Sequence, residues 1–149
     1  MLETMTPPRP HDVRRTLQLT SSLDELARVA GWIGELAAEF DIEDETRFAI
    51  ELCLEEVLSN IVRHGYRNQA GSAITVDFEC ADRSLLFVVE DNAPPFAPLE
   101  PADAIAETLE AITPGGQGLR LLYRFAGAVR YERLVDGNRL TIEFARKSE

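Results

Sequence analysis

Apolar positions alternate with polar ones in some segments of this chain and recur every three or four residues in others. Alternation from Arg14 to Thr20 predicts a half-buried first strand, so the fold is expected to start near residue 13. The following apolar positions have helical spacing. They predict a first amphipathic helix, capped by Ser21 or Ser22, that ends before Asp41.

A second helix is predicted next, with Asp41 or Asp44 as its N-terminal cap and Gly65 as its C-terminal cap. One apolar stripe runs along it and consists of Ile50, Leu54, Val57, Leu58 and Ile61. The stripe ends near His64 to Tyr66, so the helix is expected to be about six turns long.

The second half of the chain reads as two hairpins separated by a loop and a helix. Strand candidates Ala73 to Cys80 and Ser84 to Glu90 are joined by the short turn from Ala81 to Arg83. Asp91 to Pro101 contains four prolines, which exclude regular structure, and Ala102 to Thr113 is a stretch that favours a loop or lid.

After this stretch the glycine-rich segment Gly115 to Gly118 is expected to open a last helix that carries Leu119, Leu122 and Phe125. The chain then ends in two strands, Ala128 to Leu134 and Arg139 to Phe144, with a turn at Asp136 and Gly137.

This order of elements predicts a two-layer α/β (α+β) sandwich, with helices packed on one face of a mixed, mainly antiparallel sheet. A chain of 149 residues is the size of one ordinary domain. Prolines near the start indicate a flexible leader over residues 1–12, and we expect one domain over residues 13–149.

Composition narrows the range of functions. The net charge of −11 disfavours direct nucleic-acid binding, and a protein or nucleotide partner fits better. No apolar run approaches the ~20 residues that cross a bilayer, so we expect no membrane association and a cytoplasmic location. Cys53 and Cys80 belong to no C-x-x-C pair and are expected to be reduced core thiols.

Candidate chemistry begins on the second helix. Glu56, Asn60 and His64 are spaced by four and form a row along one flank of the apolar stripe. A carboxylate and an amide one turn apart are able to polarise a hydroxyl and complete a magnesium shell. A polar helix flank without chemistry has the same spacing, so the row alone does not decide between them.

Two further features lie downstream. Asp91 ends a strand of the buried type, where a carboxylate can accept a hydrogen bond from a ligand amino group or simply cap the next turn. Gly115, Gly116 and Gly118 precede a helix, where backbone NH groups can meet a phosphate. A glycine hinge or plain turn is the alternative for that cluster.

Together these segments resemble three motifs of the GHKL (histidine-kinase-like) ATPase superfamily. EVLSNIVRHGY from Glu56 to Tyr66 resembles the N box, VVEDNAPPF from Val88 to Phe96 the G1 box, and GGQGL from Gly115 to Leu119 the G2 box. The likeness covers roughly residues 14 to 146. Within the superfamily, the chain is most similar to anti-sigma factor serine/threonine kinases of bacterial partner-switching systems.

The resemblance implies a Bergerat-type fold that binds ATP and Mg²⁺. Glu56 is then similar to the family's general base, Asn60 to its magnesium ligand, and Asp91 to the residue that receives the adenine amino group. Triphosphate contacts would come from a group that consists of Gly115, Gly116, Gly118 and Leu119, beneath a lid of about residues 100 to 114.

Less specific likenesses involve His64, which would lie near the phosphates or simply end the helix, and Thr141, which would help to hold adenine or be an ordinary strand threonine. One departure is Ala93, which replaces the family's usual glycine in the second motif. If that position needs positive φ or a close approach to adenine, the methyl group would weaken nucleotide binding.

The partners implied are a STAS-type anti-anti-sigma protein as phosphorylation substrate, a sigma factor or similar regulator that is sequestered, and a second copy of the chain in a homodimer. A non-catalytic anti-sigma or adaptor module with a degenerate pocket remains the alternative because of Ala93. An ATPase domain of a two-component sensor kinase is disfavoured, since neither His11 nor His64 lies in a segment like a phosphoacceptor helix.

Overall fold

The computed structural model describes residues 13–67, 71–95, 122 and 124–146. Five strands form one sheet in the order β1-β2-β3-β5-β4, and each neighbouring pair is antiparallel. The strands are β1 Val13–Thr20, β2 Ala73–Cys80, β3 Ser84–Asp91, β4 Ala128–Leu134 and β5 Gly137–Ala145. All these strands were predicted, and the sheet is antiparallel throughout its described strands.

Two helices cover one face of this sheet. Helix α1 spans Ala27–Phe40, and α2 spans Asp44–Asn60 and continues into a π-helical turn, Ile61–Gly65. Successive side chains of a strand point to opposite faces of the sheet. Every second residue of the central strands therefore faces the helices and packs with their apolar side chains in one core. The predicted two-layer sandwich is confirmed.

Aromatic rings connect the two layers. Phe87 on β3 has ring centroids of Phe78 and Phe144 at 5.1 and 5.9 Å. The Trp32 ring of α1 meets the Phe87 ring edge-on at 6.3 Å, and the Phe40 ring at the end of α1 lies tilted against the Phe78 ring at 5.2 Å. Such contacts set how α1 lies on the sheet.

The predicted capping residues differ from those observed. Helix α1 begins five residues after Ser22, whose Oγ accepts the Asp24 N–H at 3.2 Å within the preceding turn. Asp41 is the C-cap of α1, with φ 56°, and Glu43 is the N-cap of α2. Neither Asp41 nor Asp44 therefore caps α2, because a left-handed residue is needed where the chain reverses out of α1.

The last hairpin has its turn one residue earlier than predicted. Leu134 pairs with Gly137, so Val135 and Asp136 form the turn and Gly137 belongs to β5. A Cβ built on Gly137 would lie 1.9 Å from the carbonyl oxygen of Asp91. The glycine is required by this close approach to β3.

Several predicted segments lie outside the described residues, namely the leader over residues 1–12, the lid of about residues 100 to 114 and the glycine-rich segment. Leu122, Arg124 and Phe125 are helical, in agreement with the end of the predicted last helix. Within the described ranges, no helix has the length and apolar character needed to span a membrane.

Candidate functional site

Asp91 lies at the end of β3 on the face that the helices cover. It is in phase with the buried Phe87 and Val89 and is itself only 5% exposed. Its Oδ1 accepts hydrogen bonds from the Ala93 N–H and from Nδ2 of Asn138, both at 2.8 Å. The carboxylate is thus held in one orientation at the edge of the core.

Burial raises the pKa of Asp91, because removal from water disfavours the charged form. The hydrogen bonds from Asn138 and Ala93 and the charge of Arg133 lower the pKa and offset part of that rise. A buried carboxylate with this support can accept a hydrogen bond from an amino group of a ligand.

Asn138 is a site residue that sequence reasoning missed. It is 2% exposed, and its Nδ2 also donates to the carbonyl oxygens of Ala93 and Pro94 at 3.1 and 3.2 Å. Its Oδ1 accepts from the Tyr131 hydroxyl and from Nη1 of Arg133. Asn138 therefore ties the segment after β3 to the last hairpin.

A sequence signal for Asn138 did exist. It alternates in phase with the apolar residues Leu140, Ile142 and Phe144, so it is a polar residue on the buried face of β5. Buried polar side chains need partners, and the partner here is a carboxylate. The predicted strand began at Arg139, one residue too late to include it.

The other half of the candidate site is the end of α2. Asn60 is 6% exposed, and its Nδ2 donates to the carbonyl oxygen of Glu56 at 2.7 Å. In that orientation Nδ2 of Asn60 faces the Glu56 carbonyl oxygen and Oδ1 points away from it. Glu56 is half-buried one turn earlier and lines a groove between α1 and α2.

The π-helical turn changes the predicted row of Glu56, Asn60 and His64. The Tyr66 N–H donates to the Ile61 carbonyl oxygen at 2.8 Å, which is the i to i+5 bond of a π turn. An added residue in the turn moves His64 out of line with Asn60, and His64 is exposed. The prediction of a uniform helical row is therefore wrong beyond Asn60.

Gly65 also has a different role from the predicted C-cap. It lacks positive φ, and Arg67 takes the left-handed conformation instead, with φ 53°. A Cβ on Gly65 would lie 3.1 Å from the Cβ of Ala93. The glycine lets the end of α2 approach the segment that follows Asp91.

Tyr66 bridges the same two elements. Its hydroxyl donates to the carbonyl oxygen of Ala73 at 2.8 Å and accepts the Asn92 N–H at 2.6 Å. Burial raises the pKa of Tyr66, with a smaller contribution from the Asp91 charge, so the phenol stays protonated and can make both bonds. Tyr66 thereby connects the end of α2 with the start of β2 and the end of β3.

Ala93, the departure from the family pattern, is accommodated by packing. Its side chain is 2% exposed and faces Gly65. Among the residues described, the non-glycine positions with positive φ are Asp41 and Arg67, so alanine costs no backbone strain here.

Thr141 does not share a face with Asp91. It pairs with Val88 on the uncovered face of the sheet and lines a shallow depression there with Leu86 and Arg139. The sequence-based suggestion that it helps to hold adenine is wrong for this structure, because alternation along β5 turns it away from the helices. Asn138 is the β5 residue that contacts Asp91.

The arrangement of oxygen donors bears on magnesium. No group of three or more His, Cys, Asp or Glu side chains that could hold a metal ion occurs among the residues that are described. Mg²⁺ usually takes one or two protein oxygens, with water and phosphate as its other ligands. Among the described residues, Asn60 offers one such oxygen, its side-chain Oδ1, for a nucleotide-bound ion.

The two thiols lie in the core. Cys53 and Cys80 are free and buried, as predicted. Burial, together with the charge of Glu56, raises the pKa of Cys53 to about 12.

The structure brings Asn60, Gly65, Asp91 and Ala93 to one end of the sandwich. The predicted phosphate-binding residues lie outside the described residues, namely Gly115, Gly116, Gly118 and Leu119.

Comparisons with known proteins identify a family and a relative of this chain. A family model described as a histidine kinase-like ATPase domain matches residues 19–144. The serine/threonine-protein kinase BtrW of Bordetella bronchiseptica is 29% identical over 128 residues, which cover 85% of this chain and 90% of that protein.

A solved structure supports the fold. The histidine kinase AdeS of Acinetobacter baumannii superposes with a TM-score of 0.51 at 14% identity, over 99% of this chain and 73% of that one. The family match spans most of the sequence and both described halves of the candidate site. The chain therefore belongs to the family of histidine kinase-like ATPase domains.

Proposed function

We propose that this chain is a cytoplasmic serine/threonine protein kinase of the anti-sigma type that uses Mg-ATP. In this proposal it sequesters a sigma factor or similar regulator and phosphorylates a STAS-type anti-anti-sigma protein, and it acts as a homodimer. The observation that carries the proposal is Asp91, a buried carboxylate with Oδ1 held at 2.8 Å by Asn138 in a histidine kinase-like ATPase domain. The similarity to a serine/threonine kinase supports the reaction type.

Each residue has a defined task in this proposal. Asp91 accepts a hydrogen bond from the adenine amino group, which selects adenine over bases that present a carbonyl at that position. Asn60 would hold the magnesium ion through Oδ1, and the ion would neutralise phosphate charge during the transfer. His64 lies near the phosphates, and Gly115, Gly116, Gly118 and Leu119 hold the triphosphate.

Glu56 acts as the base in the transfer step. It takes the proton from a serine or threonine hydroxyl as that oxygen bonds to the γ-phosphorus, while the bond to the β-phosphate oxygen breaks and ADP leaves. Most of the rate comes from positioning and electrostatic stabilisation, because phosphoryl transfer has a loose transition state. The half-buried position of Glu56, one turn before Asn60, supports this role.

Nucleotide binding is tested by thermal shift with Mg-ATP. A ligand at a hundred times its dissociation constant stabilises the protein by about 2.7 kcal/mol. We expect such a shift for the native protein and its loss in Asp91→Asn, which presents an amide donor to the adenine amino group. A native protein without a shift would reject the proposed pocket.

Phosphoryl transfer is tested with radiolabelled ATP and a candidate STAS partner. We expect transfer with the native protein, its loss in Glu56→Gln, and near-normal transfer in Glu35→Gln, which alters an exposed glutamate on α1. Mg-ATP binding without any transfer would favour the alternative of a non-catalytic anti-sigma or adaptor module. Unchanged transfer in Glu56→Gln would reject the assignment of the base.

A further inference from the structure

A groove of about 440 Å³ runs between α1 and α2 at the end of the sandwich that carries Glu56. It opens because the N-terminal half of α1 presents the small side chains of Ala27 and Ala30 to α2. Beyond the groove, the Arg47 side chain of α2 reaches across to Gly34 of α1, where an added Cβ would lie 2.8 Å from Nη2. The volume of the groove lies within the range of about 300–1,000 Å³ that is usual for ligand sites.

Glu56 connects this groove with the proposed nucleotide site. It lines the groove together with Ser59, which is on the next turn of α2. Asn60, which is buried and does not line the groove, follows one turn after Glu56. A hydroxyl that enters along the groove therefore reaches Glu56 one turn before Asn60.

The lining has two different characters. The α1 side is apolar, with Leu23 45% exposed next to Ala27 and Ala30. The α2 side is acidic and carries Glu51, Glu55 and Glu56. Of these, Glu51 is paired with Arg47 at 2.9 Å.

Arg63 is the cation among the described lining residues, so the acidic side chains outnumber it. The whole chain carries a net charge of −11, which adds to the local field. A complementary ligand would combine positive charge with apolar side chains.

We propose that the α1–α2 groove is the docking site for the hydroxyl-bearing segment of the protein substrate. That segment carries Lys or Arg residues that meet Glu55 and share Glu51 with Arg47. It also carries an apolar side chain that rests on Leu23, Ala27 and Ala30. Its serine or threonine then lies at Glu56. This inference rests on the proposed kinase function, and it adds where the substrate binds and which sequence it prefers.

The test measures binding of fluorescein-labelled peptides by anisotropy in the presence of Mg-ADP. One peptide has a central serine flanked by two arginines and two leucines; a second has glutamates for the arginines, and a third has glycines for the leucines. We expect the first to bind about tenfold more tightly than either of the others, and its affinity to fall with added salt.

A matched pair of variants locates the binding site. Ala30→Arg places a bulky cation in the groove, whereas Ala38→Arg adds the same charge to an exposed position of α1 outside it. We expect about tenfold weaker peptide binding in the first variant and little change in the second. Equal effects of the two variants, or no preference among the peptides, would overturn the docking proposal.

Thermal shifts with Mg-ATP separate this inference from the proposed function. Ala30→Arg is expected to keep the native shift while it loses the peptide. A native protein that binds the first peptide in the groove without any Mg-ATP shift would refute the kinase proposal and leave the groove as a docking site. If Ala30→Arg instead dissociates a dimer in sedimentation while no peptide binds the native protein, the occupant is a second copy and the inference fails.

Discussion

Replacement of Asn138 by alanine tests how the proposed adenine-binding carboxylate is held. The substitution removes the Nδ2 donor to Asp91 at 2.8 Å and the contacts with the Ala93 and Pro94 carbonyl oxygens. It also removes the acceptor of the Tyr131 hydroxyl bond. Asp91 keeps the Ala93 N–H, and the Ala93 carbonyl keeps Arg133 at 2.9 Å.

The expected loss of stability follows from these contacts. A hydrogen bond to a charged group is worth about 1.5–3 kcal/mol, and an ordinary one about 0.5–1.5 kcal/mol. Because Asn138 is 2% exposed, water cannot readily replace its amide. We therefore expect Asn138→Ala to lower the free energy of unfolding by about 3 kcal/mol, a large part of the 5–15 kcal/mol typical of a domain.

Urea denaturation measures the loss of stability in Asn138→Ala, and the Mg-ATP thermal shift measures its effect on nucleotide binding. Since Asn138 lowers the pKa of Asp91, its removal raises that pKa further, so Mg-ATP binding in the variant should fail at a higher pH than in the native protein. Thr141→Ala, on the same strand but the opposite face, is the control and should cost less than about 1 kcal/mol. If Asn138→Ala loses no more stability than this control and binds Mg-ATP with the native pH profile, then Asn138 does not position Asp91.

Three more predictions concern the same end of the sandwich. Gly137→Ala should destabilise the protein by about 1–3 kcal/mol in urea denaturation and weaken Mg-ATP binding, because the added Cβ would lie 1.9 Å from the Asp91 carbonyl oxygen. Gly31→Ala is the control and should be neutral or stabilising in the same titration, because an added Cβ there meets nothing within 4 Å. Tyr66→Phe should cost about 1–3 kcal/mol in urea denaturation, because the Asn92 N–H loses its acceptor, and a loss near zero would contradict the bridge. Adenosine binding, followed by NMR, should weaken as pH falls through the raised pKa of Asp91, because the protonated carboxyl is a poorer acceptor. An adenosine affinity that stays constant down to the ordinary pKa of aspartate would argue against a contact between Asp91 and adenine.

Strands could be predicted well because their signals are local. β2 alternates cleanly, β3 is a continuous apolar run, and Ala81 to Arg83 separate them, so the hairpin could be predicted from the sequence. The helix ends depended on contacts between distant segments. The π-helical turn brings Gly65 against Ala93 and Tyr66 against Asn92, and neither contact has a signature within α2.

The sequence around Gly137 suggests the wrong reason for a glycine at that position. Asp-Gly between alternating runs is typical of a two-residue hairpin turn, and it did predict the hairpin. The turn itself consists of Val135 and Asp136, neither of which has positive φ. Glycine follows them because the end of β3 lies against that position, and only the pairing of β3 with β5 reveals the contact with Asp91.

The contrast between Asn138 and Thr141 sharpens how the candidate site is identified. Both are polar residues on β5, and only their phase in the alternation distinguishes them, since the inward series contains Asn138 and the outward series contains Thr141. A polar residue in an inward series must find a buried partner, and Asp91 is the residue opposite Asn138 in the register of β3 and β5. The motif residue Asp91 is therefore supported by a residue outside the three motifs. In this chain the carboxylate, the asparagine that holds it and the glycine beside it form one unit, and changes at Asn138 or Gly137 should affect nucleotide binding through Asp91.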